Sequence, residues 1–153
     1  MAMGTQPNQT PDAARRAARI ALVEEHIRVE SAHEMDKLMA TLGADPTYDL
    51  NGQRISGREG VHEFYAGLLK GIPDLHIETK HLHVSDEAIT AEVRVTGTHR
   101  EAWMGVPALG HRVDFPVAAV ITFDAEERMA GERIYFDTAL LVAQMRGEAA
   151  AGA

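Results

Sequence analysis

The chain has 153 residues, 45% of them hydrophobic, with a formal net charge of −8 and no cysteine. That length fits one domain with a real core, and the missing cysteines exclude disulfides, thiolate metal sites and cysteine nucleophiles. No apolar run is long enough to span a membrane as a helix, and no stripe of lysine and arginine suits nucleic acid, so the expected partner is a small molecule or a second copy of the chain.

Residues 1–11 are polar and read as a loose tail without the apolar core of a secretory signal, which makes the cytoplasm the default compartment. A single domain is expected over 12–147, with a second tail from 148 to 153. The first helix is predicted from Asp12 to Arg28. Ile20, Leu22, Val23, Ile27 and Val29 form its apolar arc, His26 falls in the middle of that arc, and Glu24, Glu25 and Arg28 point the opposite way. Ser31 with Glu34 and Ser56 with Glu59 have capping-box spacing. They are predicted to open a short second helix carrying Met35, Leu38, Met39 and Leu42, and a third carrying Val61, Phe64, Tyr65, Leu68 and Leu69 that Gly71 and Pro73 end. Between them, Thr47 to Leu50 reads as a short strand turned by Asn51 and Gly52.

Leu75 to Val84 and Ala88 to His99 are predicted to form a hairpin around Ser85, Asp86 and Glu87, with Ile89, Ala91, Val93, Val95 and His99 on one face of its second arm. The loop EAWMGVPALG follows and is suited to closing over a pocket mouth. From His111 to Phe123 the pattern is apolar on both faces, Val117 and Ile121 against Ala118 and Val120. Pro116 inside this strand calls for an edge position or a bulge. In the last strand Ile134 and Phe136 share one face, and Arg133 and Tyr135 the other. Asp137 is placed to cap a final helix over Thr138 to Met145. The fold expected is α+β: a cone-shaped, curved antiparallel or mixed sheet, three N-terminal helices on its concave face and a short C-terminal helix. Helices can cover only one face of the central strand, so a homodimer through the sheet is expected. His81 and His83 have strand spacing that suits a transition metal, but no third ligand is evident and an exposed titrating face is preferred, with no metal and no cofactor.

The segments Gly97-Thr98-His99, Met104-Gly105-Val106-Pro107 with Gly110, and Tyr135-Phe136-Asp137 with Leu140, Leu141 and Gln144 resemble the SnoaL-like polyketide cyclase family, within the nuclear transport factor 2-like superfamily. Ile55-Ser56-Gly57 to Glu63-Phe64-Tyr65 is similar to the related ketosteroid isomerases. The resemblance implies a deep pocket between helices and concave sheet, often in a sheet-to-sheet dimer. It also implies an aspartate acid/base at the position of Ile134 and a histidine partner at Ala119. Ile134 would carry an acid in the similar limonene epoxide hydrolases, and Ala119 would be the oxyanion-binding aspartate of the isomerases. Both are apolar here.

By the same resemblance Asp49 matches the general base of the isomerases, and His26 the tyrosine that donates a hydrogen bond to the enolate oxygen. The expected catalytic set is therefore Asp49, a neutral donating His26, and His99 as an alternative base. Tyr48, Tyr65, Trp103, Met104, Phe115, Ala119, Ile134 and Phe136 are expected to contact substrate. Two functional classes stay open. One is a cofactor-free lyase or isomerase acting by proton transfer next to a carbonyl, in aldol cyclisation or isomerisation of a polyketide- or steroid-like compound. The other is a non-catalytic ligand-binding or accessory protein that has lost the acid/base residues. The first needs Asp49 facing the cavity; the second predicts it turned to solvent.

Overall fold

Period-two apolar patterning produces the six strands of the computed structural model, which describes residues 11–152. In chain order the elements are α1 (Pro11–Ser31), α2 (Met35–Ala40), β1 (Leu42–Leu50), β2 (Gln53–Ser56), α3 (Gly57–Gly71), β3 (His76–Val84), β4 (Ala88–Thr98), β5 (Arg112–Phe123), β6 (Met129–Tyr135) and α4 (Thr138–Met145). The strands form one sheet in the order β2-β1-β6-β5-β4-β3. Every neighbouring pair is antiparallel except β1 with β6, which run parallel. The result is the curved, mixed α+β sheet expected. Helix α1 packs on β3 and β4, and α3 packs on β1 and β2. Val93, Val95, Phe115 and Ile121 of the sheet share one core with Val23, Val61, Tyr65 and Leu68 of the helices. Among the described residues no helix is long and apolar enough to cross a membrane.

Several local expectations are corrected. Ser31 does not open α2: it is the last residue of α1, and its hydroxyl accepts the Ile77 N–H at 3.0 Å. His33, with φ of 60°, closes α1 instead, the N–H groups of His33 and Glu34 returning to the carbonyls of Glu30 and Val29. That is a Schellman closure with histidine in the place that glycine usually takes. Ser56 does stand at the N-cap of α3, yet its side chain makes no capping bond. The strand expected at Thr47 begins earlier, at Leu42. The C-terminal segment expected to be a loose tail packs back in part: the Ala150 carbonyl accepts from Gln144, and Gly152 lies against Asp114 and Arg94.

Pro116 is accommodated as a local edge. β6 pairs with β5 only as far as Ala118 with Tyr135, so beyond that point one side of β5 has no strand partner. Gln144 of α4 fills the gap at Asp114: its side-chain carbonyl accepts the Asp114 N–H at 2.9 Å, and its amide donates to the Asp114 carbonyl at 2.9 Å. Proline two residues on faces the same unpaired side, where an N–H would have no ladder partner.

Because Gln144 is only 2% exposed, Gln144→Ala strands two backbone groups that water cannot readily reach. The expected cost is about 2–3 kcal/mol, visible as a lower urea midpoint at unchanged slope. A change under about 0.5 kcal/mol would mean that α4 is not held by this pair.

Candidate active site

Helical spacing sets the first part of the site: His26 and Glu30, one turn apart on α1, both line a cavity of about 440 Å³ between the helices and the concave sheet face. Strand register sets the second. Tyr48 of β1 lies beside Glu132 of β6, and both side chains are buried inward. Tyr65 of α3 and Thr41, between α2 and β1, complete the group.

His26 is 1% exposed and joins these elements. Its Nδ1 lies 2.6 Å from the Thr41 hydroxyl, and its Nε2 lies 3.0 Å from both the Tyr65 hydroxyl and Glu132 Oε1. Glu30 Oε2 is 3.8 Å from the same nitrogen. The hydroxyls of Tyr48 and Tyr65 are 2.7 Å apart, and that of Tyr48 donates to Glu132 Oε1 at 3.3 Å. The Glu30 carboxyl has no hydrogen bond among the described residues. Leu50, Phe64, Leu75, Val93, Val117 and Ile121 are among the apolar residues of the wall between this group and the exposed Asn51, Gln53 and Thr138.

The electrostatics follow from burial. Burial opposes a charge on His26, but the hydrogen bond and charge of Glu132, with the charge of Glu30, outweigh it and leave the imidazole above its ordinary range. Burial also raises Glu30, with help from Glu132 and against the opposing pull of His26, to about 7. Both tyrosines are pushed well above 10, first by burial and then by Glu132, and so remain protonated donors. A buried carboxyl that titrates near neutrality beside an imidazole is suited to general acid–base work.

The expected residues divide. His26, Tyr65, Trp103, Met104, Phe115, Ala119, Ile134 and Phe136 line the cavity, whereas Tyr48 is buried behind Tyr65. Ala119 and Ile134 are cross-strand partners, so the positions where the resemblance implies acid and base form an apolar floor. Asp49 is not in the wall. It is in register with Arg133, on the opposite parity from Tyr48 and Glu132, and its carboxylate accepts the Gly52 N–H at 2.7 Å within the turn joining β1 to β2. His99 is also outside the wall and fully buried, neither ring nitrogen having a hydrogen-bond partner among the described residues, and burial lowers its basicity. Thus the structure does not bring Asp49 and His26 together. Trp103 reaches the cavity because residue 71 is glycine: a Cβ there would lie 2.9 Å from the Trp103 Cβ. No group of three metal-binding side chains occurs among the described residues. A bulge between Thr79 and His81 shifts the β3 register, and His83 meets Glu92 at 2.5 Å.

Glu30, Glu132 and Thr41 were absent from the sequence reading. Two of them carried a signal. Glu132 has the parity of Ile134, the inward row, and Glu30 follows His26 by four residues on a helix whose arc is buried.

The family model for SnoaL-like polyketide cyclases matches residues 20–145. No curated protein matches the chain in sequence. Among solved structures, AclR, a candidate hydroxylase from Streptomyces galilaeus, superposes with a TM-score of 0.76 at 20% identity, over 86% of this chain and 98% of that one. A candidate SnoaL-like polyketide cyclase from a Jannaschia species gives 0.76 at 18% identity, over 92% and 97%. SalBIII, an epoxide hydrolase/cyclase-like enzyme in pyran ring formation in the polyether salinomycin, gives 0.70 at 16% identity, over 81% and 94%. At these identities the likeness is one of fold.

Glu30 is held near 7 in the folded chain against an ordinary 4.5, so the native state binds the proton more strongly between those values. Stability from this group is therefore present below the unfolded value and lost as pH rises through the folded one. Glu30→Gln removes the titration. The variant should gain on wild type from about pH 5 to about pH 8, by on the order of 1–3 kcal/mol at the upper end. Urea unfolding at both pH values measures this, and a gap that fails to grow with pH would contradict an unpartnered carboxyl at the cavity wall whose charge is disfavoured.

Proposed function

The chain belongs to the SnoaL-like polyketide cyclase family, and from that premise we propose that its cavity binds a small apolar carbonyl compound and moves a proton next to the carbonyl. The compound is polyketide- or steroid-like in bulk, and the outcome is aldol cyclisation or isomerisation. A volume of about 440 Å³ suits such a ligand. The observation that carries the proposal is Glu30: a carboxyl with no hydrogen-bond partner among the described residues, raised to about 7 and facing, beside His26 and Tyr65, a mostly apolar cavity. Glu30 takes the role of base first assigned to Asp49. His26 faces the same space beside Tyr65 and supplies a proton to the oxygen on which charge develops. Ala119 and Ile134 favour a second reading, an accessory binding protein, in which the same cavity holds ligand without turnover.

Enolisable ketones of this bulk supply the test. Glu30→Gln is expected to lower turnover by about two to four orders of magnitude, while Asp49→Asn stays within about threefold of wild type. A Glu30→Gln rate near wild type removes Glu30 from the chemistry. Tight binding with no turnover by wild type selects the accessory reading.

Self-association belongs to the proposal as well. Pro116, Ala118 and Val120 run down the outer parity of β5, with Tyr135, 49% exposed, beside Ala118 on β6. Sedimentation at micromolar concentration is expected to give twice the 16.7 kDa chain mass; a monomer would refute pairing through this face.

A further inference from the structure

His26 has two ring nitrogens, and only one of them can exchange a proton with the cavity. The Thr41 hydroxyl has a single hydrogen. Its oxygen lies 2.6 Å from the Leu38 carbonyl, a group that can only accept, so the hydrogen is committed there. Turning it toward His26 would leave two oxygens facing lone pair to lone pair at that distance. Toward Nδ1, also at 2.6 Å, Thr41 therefore offers only an acceptor. Nδ1 then carries hydrogen in the neutral ring as well as in the imidazolium; the bare Nε2 of the neutral ring takes the Tyr65 hydrogen at 3.0 Å, and its closeness to Glu132 Oε1, also 3.0 Å, favours return of the proton.

We propose that Thr41 is a positioning residue that fixes the Nδ1–H tautomer of His26, making Nε2 the working atom and His26 a carrier that gives up and regains a proton. This inference rests on the proton-transfer reading above. It reverses the role implied by resemblance, since neutral His26 presents a lone pair to the cavity and has no N–H there with which to hold an enolate. Four titratable groups face Nε2 or its partners: Glu30 from α1, Glu132 from β6, Tyr65 from α3 and Tyr48 from β1. In the imidazolium form every hydrogen has an acceptor. Nδ1–H goes to Thr41, Nε2–H to Glu132, Tyr65 to Tyr48, and Tyr48 to Glu132. Only Glu30 is left free.

The step balances on these residues. The Glu30 carboxylate takes a proton from the carbon next to the substrate carbonyl, and that C–H pair becomes the carbon–carbon double bond. The carbonyl oxygen takes the Nε2 proton of the His26 imidazolium. The products are a neutral enol, a carboxylic acid and a neutral imidazole whose Nε2 can accept from Tyr65. Returning the protons at another carbon gives isomerisation. Attack of the enol on a second carbonyl gives the aldol product.

Nitrogen-15 spectra of the histidine-labelled wild-type chain test the tautomer, with His26 assigned through its own backbone connectivity and the pH held above the ring's titration. Hydrogen on Nδ1 and a bare Nε2 are expected; hydrogen on Nε2 would overturn the proposal. No substrate and no variant is needed, so the tautomer stands or falls separately from the proton-transfer reading and regardless of whether a variant folds. The role is tested with a turned-over ketone. Thr41→Val should lower kcat about tenfold or more with KM within about threefold, and Thr41→Ser should restore kcat. Wild-type kcat in folded Thr41→Val would refute the positioning role.

Discussion

The 3.0 Å contact between the His26 imidazole and the Glu132 carboxylate is the constraint on which the rest of the structure depends. Removing either charge from water alone costs several kcal/mol, and attraction offsets this only where the remaining lone pairs and hydrogens are also satisfied. Each group that satisfies them comes from a different part of the chain. His26 comes from α1, Thr41 from the α2–β1 junction, Tyr48 from β1, Tyr65 from α3 and Glu132 from β6. A half-formed cluster is worse than an apolar one, so these elements are obliged to reach one arrangement together. The cluster fixes where α1 lies over the sheet as apolar packing alone would not.

The apolar wall has an electrostatic consequence for Glu30. Among the described residues its one oppositely charged neighbour within 4 Å is Nε2 at 3.8 Å, too far for a hydrogen bond. Burial and the like charge of Glu132 raise it, while His26 alone pulls it down. The net result is a group that changes charge near neutrality, whereas both phenols stay protonated. That spread comes from environment: burial disfavours the charged form of the carboxyl and of both phenols alike.

Much of the fold was legible in the sequence because strand parity and helical arcs report directly on burial. The β3–β4 hairpin, the long β5, the Asp137 cap and the buried His26 all follow from such patterns. The failures lie where one residue has two plausible partners. Ser31 has capping spacing to Glu34, yet a nearby β3 backbone N–H claims its hydroxyl and His33 ends the helix. Asp49 matches a catalytic position, yet parity places it with Arg133 while Tyr48 and Leu50 take the inward row. Parity also pointed to Glu132, two residues before Ile134. The Thr41 contact had no such signal, because it depends on how the α2–β1 junction meets α1 in space.

Comparison of inward rows on the sheet shows where polarity has gone. One row runs through Leu50, Ile134, Ala119 and Ala91; the next, two residues along β6, runs through Tyr48, Glu132 and Ile121. Resemblance implies an acid at Ile134, and the acid this chain possesses is one pleat away on the same face, roughly 6–7 Å along the strand. Three lining residues that are themselves exposed, Asn51, Gln53 and Thr138, gather beyond the Ile134 end, so Glu132 lies on the side away from them. On the reading proposed above, a carbonyl bound at His26 and Glu30 would have passed the Ala119–Ile134 floor, and the body of the ligand would rest on it. On that geometry the two apolar substitutions are compatible with catalysis: they clear and smooth the path to a polar cluster placed one row further in.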